Sequence, residues 1–189
     1  SALLPEIHTV TISGSKAAGY GDALFPWMVA EAKSRRIRVI ADYRGRDLRE
    51  SVEHLPDVIK PNFLEFVTTF LNGRNSPFGP ERAAGLSEES DDKELERAVR
   101  GKMRELAALG IAVILTRGSL PTLYTTTDCI EESFEPISVT PLNTIGCGDA
   151  FTAGLAAELY ESGEFDAALE RAHVCASMNA SLLRPGVVR

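Results

Sequence analysis

"NTIGCGDAF", residues 143–151, sets Gly146, Cys147 and Gly148 directly before a single carboxylate, Asp149. The preceding "FEPISVTPL" (134–142) reads as strand-like and punctuated by proline. The following "TAGLAAELYESG" (152–163) reads as a helix rich in alanine and leucine. A glycine-rich turn that hands over to a helix presents successive backbone N–H groups, and the helix dipole adds partial positive charge. Large side chains there would keep a phosphate away from the backbone, which accounts for Gly146 and Gly148. Asp149, in the first helical turn, is poorly suited to binding phosphate because like charges repel. It is well suited to taking a proton from a hydroxyl that attacks that phosphate. On spacing alone a plainer account has equal standing: the glycines make a tight turn and Asp149 stabilises a helix start.

Upstream, strand-like and helix-like segments alternate. "HTVTIS" (8–13) alternates and is β-branched, so it reads as a strand. Residues 22–36 carry apolar positions at helical spacing, with Pro26 in the first turn. "IRVIAD" (37–42) is a strand, "YRGR" a turn and "LRESVEHL" (48–55) a short helix. "DVIK" (57–60) is a strand stopped by Pro61, and 62–71 a helix with Asn62 as N-cap. Residues 72–91, polar and rich in Gly, Pro and Ser, read as a surface loop. Residues 91–110 form an amphipathic helix with acids first and glycine last. "IAVILT" (111–116) is an apolar run of the kind a strand buried on both faces shows. "TLYTTTD" (122–128) and "ESFEPISV" (132–139) read as an antiparallel pair, and helices over 147–161 and 165–183 finish before "RPG". The alternation predicts one α/β domain with a mainly parallel sheet and helices on both faces.

Composition narrows the function. The chain has 189 residues and 44% hydrophobic content, enough for a real core. Its net charge of −7 argues against a general binder of nucleic acid or anionic membrane. Three widely spaced cysteines, Cys129, Cys147 and Cys175, form neither a disulfide framework nor a zinc site. No apolar run approaches the roughly 20 residues that span a bilayer, and no signal peptide is visible. The expected location is cytoplasmic.

In an open α/β sheet ligands gather at the carboxyl ends of the strands. Asp42, the Lys60–Glu65 stretch, Thr116–Gly118 and the Gly146–Asp149 turn all fall at such positions. Asn62 and Glu65 lie on one side of a first helical turn, and a capping box accounts for that spacing as well.

"NTIGCGDAFTAG" resembles the C-terminal signature of the PfkB family of carbohydrate kinases, in the ribokinase-like superfamily. "KPNFLE" (60–65) resembles the family's Lys-Pro-Asn-x-x-Glu segment and "LTRGS" (115–119) its Thr-x-Gly segment. "TISGS", "ADYRGRDL", "VIKPNFLE", "VILTRGS", the signature and "LLRPG" follow in family order across nearly the whole chain. "SGS", then a helix, then Asp-x-x-Gly-x-x-Leu is similar to the branch of 1-phosphofructokinase and tagatose-6-phosphate kinase. The resemblance implies a ribokinase-like three-layer α/β/α fold, with residues 1–189 as a single domain. It implies ATP and Mg2+ as cofactors and a sugar or sugar phosphate as substrate. Asp149 is then the catalytic base, and Gly146, Cys147 and Gly148 form the anion hole. Asn62 and Glu65 influence the metal and the phosphates, Thr116 and Gly118 contact the nucleotide, and Cys175 and Asn179 border the adenine.

The sequence also departs from the family pattern. Cys147 stands where Ala or Gly is usual: a tolerated small residue, or a thiol made acidic by the helix start. Asn143 replaces the Asp of a monovalent-cation loop, so potassium dependence is not expected. Cys175 is explained equally by core packing, and His8 and His173 read as structural. The N-terminal lid and sugar-binding segment of the family have no counterpart in these residues. The expectation is therefore weak nucleotide binding, poor transfer by this chain alone, and a homo-oligomer formed through exposed sheet edge and apolar surface. Two alternatives remain. One is a non-catalytic nucleotide-binding module with a regulatory or interaction role. The other is an oxidoreductase, disfavoured because no Gly-x-Gly-x-x-Gly follows the first strand.

Overall fold

The computed structural model describes residues 7–72, 93–128 and 131–186. The expected loop over 72–91 lies, apart from Asn72, outside the described residues, as does Cys129. The chain divides into two compact units, residues 1–133 and 134–189.

The first unit holds a six-stranded sheet in the order β1 (Thr9–Ser13), β2 (Arg38–Asp42), β3 (Val58–Ile59), β4 (Ala112–Arg117), β5 (Leu120–Thr125) and β6 (Glu131–Phe134). β1 to β4 run parallel, and β5 returns antiparallel to β4. Each parallel step is bridged by helix: α1 (Leu24–Ser34), then α2 (Gly45–Ser51) with a 3-10 turn (Val52–His54). Next come α3 (Phe63–Phe66) with a π-helical turn (Val67–Leu71), and α4 (Lys93–Ala108). This is the α/β alternation expected of the sequence. Alternate residues of the central strands, Val39 and Ala41 in β2 and Val113 and Leu115 in β4, join Val29, Leu48, Phe66 and Met103 in one core cluster. Ile40 and Ile114, which point the other way, are also fully buried. That two-sided burial is why these strands are apolar runs rather than alternating ones.

Local chemistry sets the element ends. Gly110 adopts φ +84° after α4. Its N–H reaches Ala107 O and the Ile111 N–H reaches Leu106 O, a Schellman closure that only a residue tolerant of the left-handed region allows cheaply. α1 closes the same way, with Arg36 N–H to Lys33 O and Ile37 N–H to Ala32 O, but places Arg36 at φ +61°. A Cβ in that region costs about 1–2 kcal/mol. Arg36→Gly is therefore expected to raise unfolding free energy by about 1 kcal/mol, less the extra chain entropy of glycine. Urea denaturation checks it. The helix after Asn62 widens into its π turn where Thr69 is diverted: its carbonyl accepts from Arg49 Nη2 (2.7 Å) and its hydroxyl from the Gly45 N–H (2.8 Å).

The second unit is built on α5 (Cys147–Glu161) and α6 (Phe165–Ala180), packed closely together. Gly154 makes this approach possible. A Cβ there would lie 2.9 Å from both Arg171 O and Cys175 Sγ. The stretch 135–142 is not strand: β6 ends at Phe134, and the chain then passes Pro136 and Pro141 without regular structure. The sequence reading extended this strand to residue 139. Proline has no N–H to give to a ladder, so it cuts the strand short. His173 is buried against Phe134 (stacked, 4.6 Å) and Phe151 (edge-on, 5.1 Å), as a structural histidine would be. Burial pushes its pKa down to about 4 from 6.5. Folded His173 thus stays neutral where the unfolded chain takes up a proton, so stability falls as pH drops from about 6.5 toward 4. His173→Leu should flatten that part of the stability profile, read by urea midpoints across the same range.

Candidate functional site

The turn that opens α5 is set by Gly146, which caps the helix at φ +76°, ψ 3°. A side chain there would be strained by the backbone and would bring its Cβ within 3.2 Å of Pro185 Cβ. The first helical bond runs from Ala150 N–H to Gly146 O, and Thr152 Oγ donates to Gly148 O at 3.0 Å. The Cys147 N–H closes the turn on Thr144 O at 3.3 Å, and first-turn N–H groups that lack an intrahelical partner face out of a helix end, where an anion is favoured. Gly148 and Asp149 are exposed, and Gly146 and Cys147 half-buried. The expected anion hole and base lie side by side on one helix start.

Beneath the turn sit two asparagines. Asn143 accepts the Ile145 N–H at Oδ1 (2.9 Å) and donates from Nδ2 to Leu183 O (3.2 Å). Asn179, fully buried, donates to Ile145 O (2.9 Å), lies 3.4 Å from Cys147 Sγ and accepts the Gly186 N–H (2.8 Å). The carboxamide of Asn179 is thus engaged with the turn and the chain end. Cys175 Sγ abuts Gly154 at the helix crossing.

The strip 137–139 runs along α6 and leaves a cleft of about 500 Å3 lined by Ile137, Val139, Val174, Ser177, Met178, Ser181 and Leu182. Ser177 and Ser181 spend their hydroxyls on Ile137 O and Ser177 O, so the cleft presents an apolar wall. Its strip continues directly into the glycine turn, and Leu142 and Asn143 both donate their N–H groups to Ala180 O.

In the first unit the carboxyl ends of the strands carry the other nominated residues. Asn62 pairs with Thr116 through an isolated parallel bridge, so these two positions, 54 apart in sequence (116 − 62), are neighbours. Gly118 follows at φ +60° in the turn between β4 and β5. Asn62 and Glu65 form a complete capping box: Glu65 N–H to Asn62 Oδ1 (2.8 Å) and Asn62 N–H to Glu65 Oε2 (3.0 Å). Glu65 Oε1 also lies 3.3 Å from Arg44 Nη1. Among the described residues no cluster of three His, Cys, Asp or Glu side chains could hold a metal ion by itself. Magnesium keeps several waters and needs only one or two carboxylates beside substrate phosphates. Glu65, a quarter exposed and still holding lone pairs, fits such a role through water.

A pair absent from the sequence reading lies beside these residues. Lys60 Nζ meets Asp42 Oδ1 at 3.1 Å with both side chains largely buried, and Ser13 Oγ donates to Asp42 Oδ2 at 3.3 Å. Strand register brings them together: Ala41 stands opposite Ile59, so the next residues along are Asp42 and Lys60. Each sits in a motif quoted for other reasons, but their pairing depends on the order of strands.

Two substitutions separate the roles of Glu65. Glu65→Gln keeps an oxygen for the box, so stability should hold within about 0.5 kcal/mol, while the magnesium concentration needed for nucleotide binding should rise. Glu65→Ala removes the box and should cost about 1 kcal/mol. Denaturation and magnesium titrations read the two effects, and an unchanged magnesium profile in Glu65→Gln leaves Glu65 as a helix cap alone.

A family model described as pfkB family carbohydrate kinase matches residues 6–185. Among solved structures the chain is similar to the tetrameric inhibited form of phosphofructokinase-2 from Escherichia coli, with 17% identity and a TM-score of 0.71 over 95% of this chain and 54% of that one. It is similar to Arabidopsis thaliana ribokinase complexed with ribose and ATP, with 20% identity and a TM-score of 0.69 over 97% and 53%. Anopheles gambiae adenosine kinase gives 19% identity and a TM-score of 0.69 over 95% and 52%. At such identities the likeness is one of fold. The chain spans little more than half the length of these structures. No curated protein sequence matches it.

Proposed function

The chain belongs to the pfkB family of carbohydrate kinases, and from that premise we propose that it carries the ATP-dependent phosphoryl-transfer site of a sugar or sugar-phosphate kinase. The observation that supports this most is Gly146, left-handed and hemmed in by Pro185, capping a helix whose first turn exposes Asp149. Backbone N–H groups of Gly146, Cys147 and Gly148 would hold the oxygens of the moving phosphoryl group, where charge is spread in transfer. The Asp149 carboxylate would accept the proton of the attacking hydroxyl as its oxygen bonds to the γ-phosphorus. The bond from that phosphorus to the β–γ bridging oxygen breaks, and ADP leaves. Magnesium, when bound with the nucleotide, would neutralise phosphate charge, and Glu65 and Asn62 are the residues proposed to hold it through water. Thr116 and Gly118 would border the nucleotide, and the apolar cleft along α6 would take the adenine ring, as flat apolar walls beside an anion site commonly do.

A second reading is favoured by the complete capping box, which accounts for Asn62 and Glu65 without a metal: a nucleotide-binding module that regulates or docks without turnover. Calorimetry with ADP and magnesium, with a coupled assay over sugars and sugar phosphates, separates the two. Binding with turnover supports the kinase, and binding without turnover supports the module. No binding removes both. Self-association is part of the same proposal, since β1 ends the sheet order and its sequence, Thr-Val-Thr-Ile-Ser, has neither lysine nor proline to guard an edge. Light scattering reads it. No helix among the described residues is long and apolar enough to cross a membrane. Cysteine usage supports a cytoplasmic setting.

A further inference from the structure

We propose that Asn179 is a positioning residue that, together with Asn143, fixes the direction of the Gly146 N–H in the anion-binding turn; this rests on the reading of that turn as phosphate-binding. Ile145 is 70% exposed, so packing does not hold this part of the turn. Side-chain amides hold it instead. Ile145 gives its N–H to Asn143 Oδ1 at 2.9 Å and takes an N–H from Asn179 Nδ2 on its carbonyl at 2.9 Å. The Ile145 carbonyl and the Gly146 N–H belong to one planar peptide. Pinning the carbonyl toward the buried Asn179 points the Gly146 N–H the opposite way. A glycine at positive φ has little preference of its own between the two orientations of the preceding peptide. The choice falls to Asn179.

The same carboxamide ties the turn to the chain end. Asn179 Oδ1 accepts the Gly186 N–H at 2.8 Å, and Asn143 Nδ2 donates to Leu183 O at 3.2 Å. Both asparagines therefore bridge the turn to residues 183–186, where Pro185 closes the space beside Gly146. Asn179 is fully buried, and its two polar atoms are used inside the protein. It acts on a bound nucleotide through the turn, not by touching it.

The test compares the 189-residue chain with Asn179→Asp, Asn179→Leu and Asn143→Ala. Asn179→Asp keeps the acceptor for Gly186 and replaces the donor to Ile145 with an oxygen that repels that carbonyl. Asn179→Leu removes both bonds at similar volume. The readouts are the amide resonance of Gly146 without ligand and the affinity for ADP with magnesium by calorimetry, both taken well below the melting temperature. The expected result is a displaced Gly146 resonance in both Asn179 variants and an ADP affinity about tenfold weaker, the scale of one lost buried hydrogen bond. A merely structural asparagine would lower the melting temperature and leave both readouts unchanged, and that result in folded variants overturns the proposal. Should the Asn179 variants fail to fold, Asn143→Ala decides on the same readouts. A displaced resonance with no ADP binding by the unsubstituted chain supports the tether and refutes the phosphate reading instead.

Discussion

Asp149→Asn is expected to lower phosphoryl transfer by roughly 10²–10⁴-fold, the range for loss of a general base, with ADP affinity nearly unchanged. It applies to whichever form of the protein turns over, this chain alone or joined to further polypeptide. Asparagine matches the shape of aspartate and still suits a helix start, so Gly146 and α5 should keep their geometry. What it loses is the carboxylate that takes the hydroxyl proton. Removing a negative charge beside a bound anion should, if anything, tighten binding. The two effects therefore point in opposite directions, which a general loss of structure cannot imitate. Turnover near that of the unsubstituted protein would take Asp149 out of the chemistry and leave it as a helix-start residue.

Gly146→Ala should damage nucleotide binding more than it damages the fold. Its backbone stands at φ +76°, where a Cβ costs about 1–2 kcal/mol. The new Cβ also meets Pro185 Cβ at 3.2 Å, and Pro185 belongs to the segment that both asparagines hold. The turn can relieve the strain only by rotating its peptides, which turns the N–H groups away from an anion. ADP affinity should fall at least about tenfold, beyond what the stability loss explains. Gly163→Ala is the control: it also has positive φ, at +77°, but open space around it and no part in the turn. Denaturation and ADP calorimetry on both variants separate strain from site. Equal ADP affinities in the two would contradict the anion-hole account.

The α/β alternation was legible because periodicity and punctuation are local properties. Apolar runs such as 111–116, Asn62 as a cap and Gly110 as a terminator all act within a few residues, and each appears where the sequence placed it. The strand expected over 132–139 stops at Phe134 for an equally local reason, since Pro136 removes a donor that alternation does not count. The capping box at Asn62 and Glu65 shows a limit of spacing arguments. One pattern serves two roles, and the observed bonds account for it without any ligand.

Contacts made by distant residues were not legible. Lys60 and Asp42 meet because β2 and β3 are neighbours in register, and Asn62 meets Thr116 because β3 and β4 are. Asn179 was read as a residue bordering adenine, and the structure places its carboxamide under Ile145 and against Gly186. Nothing in "ASMNAS" marks that asparagine as buried. Its one signal is a polar residue among small ones near the end of a helix, followed six residues later by Pro185.

The central claim is that the Gly146–Asp149 turn receives a phosphate group of a nucleotide. The most direct measurement is a titration of the isotopically labelled chain with ADP and magnesium, following backbone amides residue by residue. The account predicts saturable shifts centred on Gly146, Cys147 and Gly148, with smaller shifts at Val139, Val174 and Met178 along the apolar cleft. Saturable binding that leaves the turn amides unmoved would contradict it, as would no binding at millimolar ADP.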